Sequence, residues 1–367
     1  MVDYQITAVA TGENHSLVLL ENGEVYAWGD NEYGQLCNGT IQARSGLQLI
    51  KGIPGKVIGI ASGSYHGLAL LENGDVYAWG RNPDRELGDI ATWEEDYYEC
   101  EVATRNPDRE LGDIATKIIT RPHLISGIPS PVIGVTSCSF CSLVLLENGK
   151  VYSWGDNRDG QLGDGSTKTR IRPQQIKGIP GKVVKLASGV YHSLALLESG
   201  EVYGWGLNIE GQLGDKTRKA RKRPQPIKGF PGKVIDITAG AYHSMALLES
   251  GEVYAWGRNS RYELGDGTSL NKLSPQLVKT LPDKVVSIAA GYYHSLALLN
   301  GGEVYGWGSN YDGRLGDGKL LEVHLPRIIC IVEKRILLSP FGKGGRAVGY
   351  GELEIKFREL LSQAFIL

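Results

Sequence analysis

Five histidines stand at one fixed place in this chain: His15, His66, His192, His243 and His294 each precede a tryptophan by thirteen residues. Imidazole exchanges protons near neutral pH and ligates metals. Several converging on one point would suit acid–base or zinc chemistry. The sixth place in that register holds Cys141, and with Cys138 it forms a C-x-x-C, a spacing that suits zinc or a thiol redox pair. The segments GDNRDGQLGDG (155–165) and SNYDGRLGDG (309–318) gather Asp, Asn and Gly as calcium loops do. Two charged runs complete the candidates. EEDYYECE, Glu94–Glu101, carries five acids in eight residues, and KTRKARKR, Lys216–Arg223, carries six basic residues in eight.

Placing these residues requires the elements that carry them. VY-x-WG occurs six times, at Trp28, Trp79, Trp154, Trp205, Trp256 and Trp307, spaced 51, 75, 51, 51 and 51 residues apart. Around Trp205, short β-branched or apolar runs (KVVKLAS, YHSLALLE, EVYGWG, PQPIKGF) alternate with Gly, Pro, Ser and Asn. Such runs are strands, and E-S-G or E-N-G between two of them is a hairpin signal. Four antiparallel strands repeated every 51 residues read as a propeller blade, because one such sheet cannot bury both faces by itself.

This register changes the chemistry expected of the candidates. Equivalent positions in successive blades spread around an axis, so the histidines are expected to be buried and bonded to backbone groups of their own or the next blade. Cys138 replaces the glycine of the repeat and Cys141 its histidine. The pair therefore sits at a turn into a strand, without a second C-x-x-C to complete a zinc site. The Asp-Gly loops lack the spacing and terminal Glu of an EF-hand, and their recurrence fits turn chemistry. No P-loop, G-x-S-x-G or H-E-x-x-H occurs. We assign no catalytic residue, cofactor or metal.

The pattern G-x-YHSLALLE-x-GEVY-x-WG-x-N-x-x-GQLGDG resembles the repeats of the regulator of chromosome condensation family, over about Ile6 to Lys334. The resemblance implies a propeller, and members are mostly seven-bladed. We expect an all-β, seven-bladed propeller whose body is residues 1–334 with six clear repeats. Residues 335–367 then form a degenerate seventh repeat or a tail. The family includes guanine-nucleotide exchange regulators of small GTPases, a secreted-enzyme inhibitor and light sensors. The sensors use extra tryptophans beside Arg and His. Here Trp93 alone lies outside the repeat slot, so photoreception is not expected.

Thirty-nine Lys and Arg against 41 Asp and Glu leave a net charge of −2, which gives no general attraction to nucleic acid or acidic membranes. The N-terminal residues lack a signal-peptide pattern, no apolar run is long enough to span a bilayer, and five cysteines argue against a disulfide framework. These features suggest a cytoplasmic protein, or a nuclear one in a eukaryote. The expected function is a non-enzymatic scaffold that binds a protein partner through its loops. Exchange on a small GTPase and inhibition of an enzyme are the alternatives. Contact residues are expected in the two charged runs: Glu94, Glu95, Asp96, Tyr97 and Tyr98, and Lys216, Arg218, Lys219, Arg221, Lys222 and Arg223.

The irregular spacing has a local cause. RNPDRELGDIAT occurs at Arg81–Thr92 and again at Arg105–Thr116, with a twelve-residue spacer between. The first copy is in register with the strand before it and the second with the strand after it. The surplus 24 residues read as a surface excursion of blade two within 81–116, inserted at modest entropic cost.

Overall fold

The computed structural model describes residues 5–82, 87, 97–100, 116–129, 131–311 and 313–331. They form six antiparallel sheets in chain order, five of them with their four strands in sequential order. Blade one is Ile6–Thr11, His15–Leu20, Val25–Gly29 and Arg44–Leu49, and blades two to six repeat that plan. Residues 335–367, where a seventh repeat is expected, lie outside the described residues.

The core is not central. Its buried side chains fall into five clusters, one between each successive pair of blades. Leu17, Leu19, Val25 and Ala27 of blade one pack with Val57, Ala69, Leu71 and Trp79 of blade two. The same arrangement recurs down to blades five and six. Trp79, Trp154, Trp205, Trp256 and Trp307 are fully buried in these layers. Each indole buries a large apolar area and still needs a partner for its N–H. Trp79, Trp205, Trp256 and Trp307 donate Nε1–H to the carbonyls of Gln35, Gln161, Gln212 and Glu263 in the preceding blade, at 2.7–2.9 Å. Trp28, in the first blade, is half-buried.

In every blade a β-bulge opens the pairing of the innermost strand with the second, as between Val57 and Gly59. The bulged residue is left out of the ladder. In blades two to six it is Ile58, Ile133, Val184, Ile235 or Val286, each 42–51% exposed.

Blade two departs from the plan. Its outer strand, Thr116–Leu124, pairs with Val76–Arg81, and Tyr97–Cys100 adds a fifth strand beyond it. Leu87, from the first copy of the duplication, is fully buried and takes the place that Leu162 has in blade three. The first copy therefore supplies the structural leucine. Leu111 of the second copy lies outside the described residues. Part of the spacer extends the sheet instead of forming only a loose excursion, because an outer strand offers a free row of N–H and C=O groups.

Candidate functional site

The inner strands all end at the same end of the axis, where a tight turn leads into the second strand. Those turns are tied around the axis by backbone hydrogen bonds. Glu13 N–H donates to the Ser64 carbonyl, Ser64 to Ser139, Ser139 to Val190, Val190 to Ala241 and Ala241 to Tyr292, at 3.2–3.4 Å. Among the described residues no sixth link joins blade six to blade one. The turns of all six blades line an axial pocket, with Glu13, Ser64, Ser139 and Tyr292 on its wall.

The histidines sit just beneath this ring. His15, His66, His192 and His243 are buried. Each shares a hydrogen bond through Nε2 with a serine of the next blade: Ser62 (2.8 Å), Ser142 (3.2 Å), Ser244 (2.9 Å) and Ser295 (2.9 Å). The partner is a side chain of the next blade, not the backbone group expected from sequence. Blade two has Gly67 where the others have that serine, and His15 turns to Ser62 instead. Burial lowers the pKa of His66, His192 and His243 to about 3, and that of His15 and His294 to about 4. Nδ1 of His15, His66, His192 and His294 meets no hydrogen-bonding group. Protonation there would bury an unpaired donor. The rings of His15, His66, His192 and His243 are inter-blade ties, and neutral ones.

In blades two to six the residue before the histidine slot carries the surface chemistry. Tyr65, Phe140, Tyr191, Tyr242 and Tyr293 stand fourteen residues before their tryptophans and form a half-buried belt around the pocket. Neighbouring rings are 6.1–6.5 Å apart from Tyr65 through Phe140 and Tyr191 to Tyr242, and Tyr33 lies 4.9 Å from Tyr65. Tyr65 has its hydroxyl pushed up to about 12 by burial and by the Glu13 carboxylate. Each ring is fixed by its blade. The backbone N–H two residues after the tryptophan donates to the aromatic residue's carbonyl, as Arg81 does to Tyr65 and Arg258 to Tyr242. The intervening glycine is required: at Gly80 (φ 107°) a Cβ would lie 2.4 Å from the Tyr65 carbonyl oxygen.

This connection sets arginines on the belt. The Arg81 guanidinium lies 5.1–6.0 Å from the centres of Tyr33, Tyr65 and Phe140, and Arg258 lies 5.0–5.7 Å from Tyr293 and Tyr242. Arg314 lies 5.7 Å from Tyr293. A guanidinium over a ring face is held by the ring's quadrupole. The residue five positions further along complements the charge. Asp156 accepts from Gln161 Nε2 at 3.0 Å, whereas Arg258 faces the buried Glu263 carboxylate at 3.6 Å. Sequence reading gave weight to the histidine of each Y-H pair and missed the aromatic, although both keep the same register.

The Asp-Gly loops explain themselves by turn chemistry. In each blade a buried asparagine accepts from the N–H of the leucine five residues on, as Asn157 does from Leu162, and Asn157 also donates to Asp164 and to loop carbonyls. The aspartate is held below its usual carboxylate range by Ser166 and Arg170 despite partial burial. The pair Arg170–Asp164 is matched by Arg221–Asp215, Lys272–Asp266 and Arg327–Asp317. No group of three His, Cys, Asp or Glu among the described residues is placed to hold a metal ion.

The basic run therefore has two parts. Arg221 is bound to Asp215 at 2.6 Å and opens the outer strand of blade four. Lys216, Arg218, Lys219, Lys222 and Arg223 are exposed. Arg218 lies 3.7 Å from Glu210, and the Lys222 carbonyl accepts from Gly165 of blade three. This loop follows the third strand, so it emerges at the same end of the axis as the aromatic belt. Glu94, Glu95 and Asp96 lie outside the described residues. Tyr97 and Tyr98 begin the fifth strand of blade two.

Cys138 and Cys141 are joined to each other by a disulfide, and Cys37 and Cys330 are free thiols.

A model of the RCC1-like domain matches residues 103–340. Models of the regulator of chromosome condensation (RCC1) repeat match residues 6–35, 57–85 and 22–70. The chain belongs to the RCC1-like propeller family. The Arabidopsis thaliana ultraviolet-B receptor UVR8 is 30% identical over 325 residues, covering 87% of this chain and 68% of the receptor. The human E3 ubiquitin-protein ligase HERC2 is 30% identical over 334 residues, 88% of this chain but 6% of the ligase. Two solved structures share the fold of this RCC1-like chain. Human WBSCR16 has a TM-score of 0.77 at 23% identity over 90% of this chain and 83% of its own. Prp20p of Saccharomyces cerevisiae, reported with its binding to Gsp1p and histones, has a TM-score of 0.72 at 24% identity over 89% of this chain and 77% of its own. Among the described residues no helix is long and apolar enough to cross a membrane.

Proposed function

We propose that this RCC1-like propeller is a non-enzymatic docking module that binds a protein partner across the end of the axis bearing the aromatic belt. The observation that carries this reading is the belt itself, with Arg81 and Arg258 already seated on it. Tyr and Arg are the residues that anchor interfaces, and anchors held in place before binding lose little entropy on docking. Lys216, Arg218, Lys219, Lys222 and Arg223 supply a basic rim on blade four. Tyr97 and Tyr98, in the fifth strand of blade two, are proposed as further contacts, together with Glu94, Glu95 and Asp96, which lie outside the described residues.

The test is affinity capture from the native cell, followed by titration of the captured partner. Three proteins are compared: wild type, a Tyr65→Ser/Phe140→Ser/Tyr242→Ser variant and an Ile58→Ser/Ile235→Ser control at the bulges. Loss of binding in the first variant alone supports the reading. Equal binding by all three removes the belt from the interface.

A second reading, exchange of guanine nucleotide on a small GTPase, is favoured by the likeness to Prp20p and its reported binding to Gsp1p. Release of labelled GDP from a panel of small GTPases decides it, and no acceleration over the spontaneous rate rejects it.

A further inference from the structure

We propose that Cys138 and Cys141 form a redox site that replaces the glycine–histidine element of the other blades, and that its oxidation state sets how firmly blade three is tied to blade four.

In five blades the residue three before the histidine is glycine, because the imidazole lies where a Cβ would be. A Cβ built at Gly12, Gly63, Gly189, Gly240 or Gly291 would lie 2.1–2.4 Å from Cε1 of that blade's own histidine. No side chain can occupy this place beside the ring. Blade three changes both residues together: Cys138 stands in the glycine slot and Cys141 in the histidine slot. Removing the ring makes room for the side chain of Cys138. The two Cα atoms are 5.0 Å apart, within disulfide range, and the sulfurs are bonded. The bridge fills with two sulfurs the volume that an imidazole fills elsewhere.

The exchange has a consequence at the junction. Four histidines tie their blades to the next through a serine. From blade three the corresponding partner would be Ser193. Among the described residues no imidazole reaches it, and its hydroxyl accepts from Ser188 Oγ at 3.4 Å. Blades three and four keep the backbone link from Ser139 to Val190. That link leaves the turn 138–141, which is the turn the disulfide clamps. Both cysteines are buried, but Cys138 borders the axial pocket whereas Cys141 does not, so opening of that turn would expose Cys138 to a small disulfide first.

The chemistry is thiol–disulfide exchange with a low-molecular-weight disulfide of the glutathione type. One protein thiolate attacks that disulfide and releases one small thiol. The second thiolate then displaces the other and closes the bridge. The two cysteines lose two electrons and two protons, and the small disulfide becomes two thiols. The reverse reaction opens the site and frees the turn.

The full-length protein is equilibrated with oxidised or reduced glutathione, then alkylated in denaturant and weighed. Three of the five cysteines are expected to react after oxidation, all five after reduction, and mapping should place the protected pair at 138 and 141. Five reactive thiols after oxidation, or a different pair, would overturn the site. Reduction is expected to lower Tm by roughly 2–4 °C, since even a short bridge restricts the unfolded chain. It is also expected to speed amide exchange in 138–142 and 190–194 above that at the equivalent turns. Unchanged Tm and exchange would overturn the coupling to blade four. Cys138→Gly/Cys141→His restores the pattern of the other blades and should make both readouts insensitive to glutathione. Cys138→Ser/Cys141→Ser serves the same purpose if that variant does not fold. A persistent response in a folded variant assigns the effect to another cysteine and rejects the proposal.

Discussion

Mild acid should unfold this propeller through its histidine ties. An imidazole has a pKa near 6.5 in the unfolded chain, but burial holds those of His66, His192 and His243 at about 3 and those of His15 and His294 at about 4 in the folded one. A base with a lowered folded pKa binds fewer protons when folded, so its stability contribution is complete above pH 6.5. It is lost as pH falls from 6.5 toward 3–4. At pH 5 the loss is 1.5 pH units for each histidine, about 2 kcal/mol. Five such residues approach about 10 kcal/mol, comparable with the whole stability of an ordinary domain. The carboxylates held low, Asp164, Asp215, Asp266 and Asp317, act in the more acidic range and do not mask this window. Urea midpoints measured from pH 8 to pH 5 give the proton uptake on unfolding from the slope of ΔG against pH. The slope should steepen below pH 6.5 toward several protons, and His243→Asn should reduce it by about one proton whatever it does to absolute stability. An uptake below one proton between pH 6.5 and 5 would refute the reading of these rings as buried and neutral.

Other outcomes follow from the same geometry. Gly240→Ala places a methyl 2.1 Å from the His243 ring and 2.5 Å from the Gly291 carbonyl, and should cost about 3 kcal/mol in chemical denaturation. Glu263→Gln should destabilise by about 1–2 kcal/mol by leaving Arg258 facing an amide. Adding Arg258→Asp should recover most of that loss, because Asp156 and Gln161 already show the complementary pair. Deleting Trp93–Thr116 shortens a long connection and removes the fifth strand of blade two, two effects of opposite sign. Stability should stay within about 1 kcal/mol of wild type, and a larger loss would show that the spacer packs into the body.

The sequence by itself determined the strands, the blade and its number of clear copies. A 51-residue register of glycine, histidine and tryptophan leaves little freedom once each sheet must bury both faces. It also showed that the duplication sits in a loop, because either copy alone restores the register. Which copy is used was decided by packing: Leu87 is drawn into the layer that holds Trp154. The same holds for the site. The aromatic that recurs before the histidine slot in blades two to six was legible in one dimension, but nothing local says that equivalent turns meet at one end of an axis. Packing of successive blades around the axis brings Tyr65, Phe140, Tyr191 and Tyr242 side by side although about fifty or more residues separate each from the next along the chain. The charged runs stood out in sequence because charge is conspicuous there. Only the tertiary structure showed that Arg221 is engaged with Asp215 while its neighbours are exposed. It also showed why glycine and histidine in blade three had to change together, since a ring and a Cβ cannot share one volume.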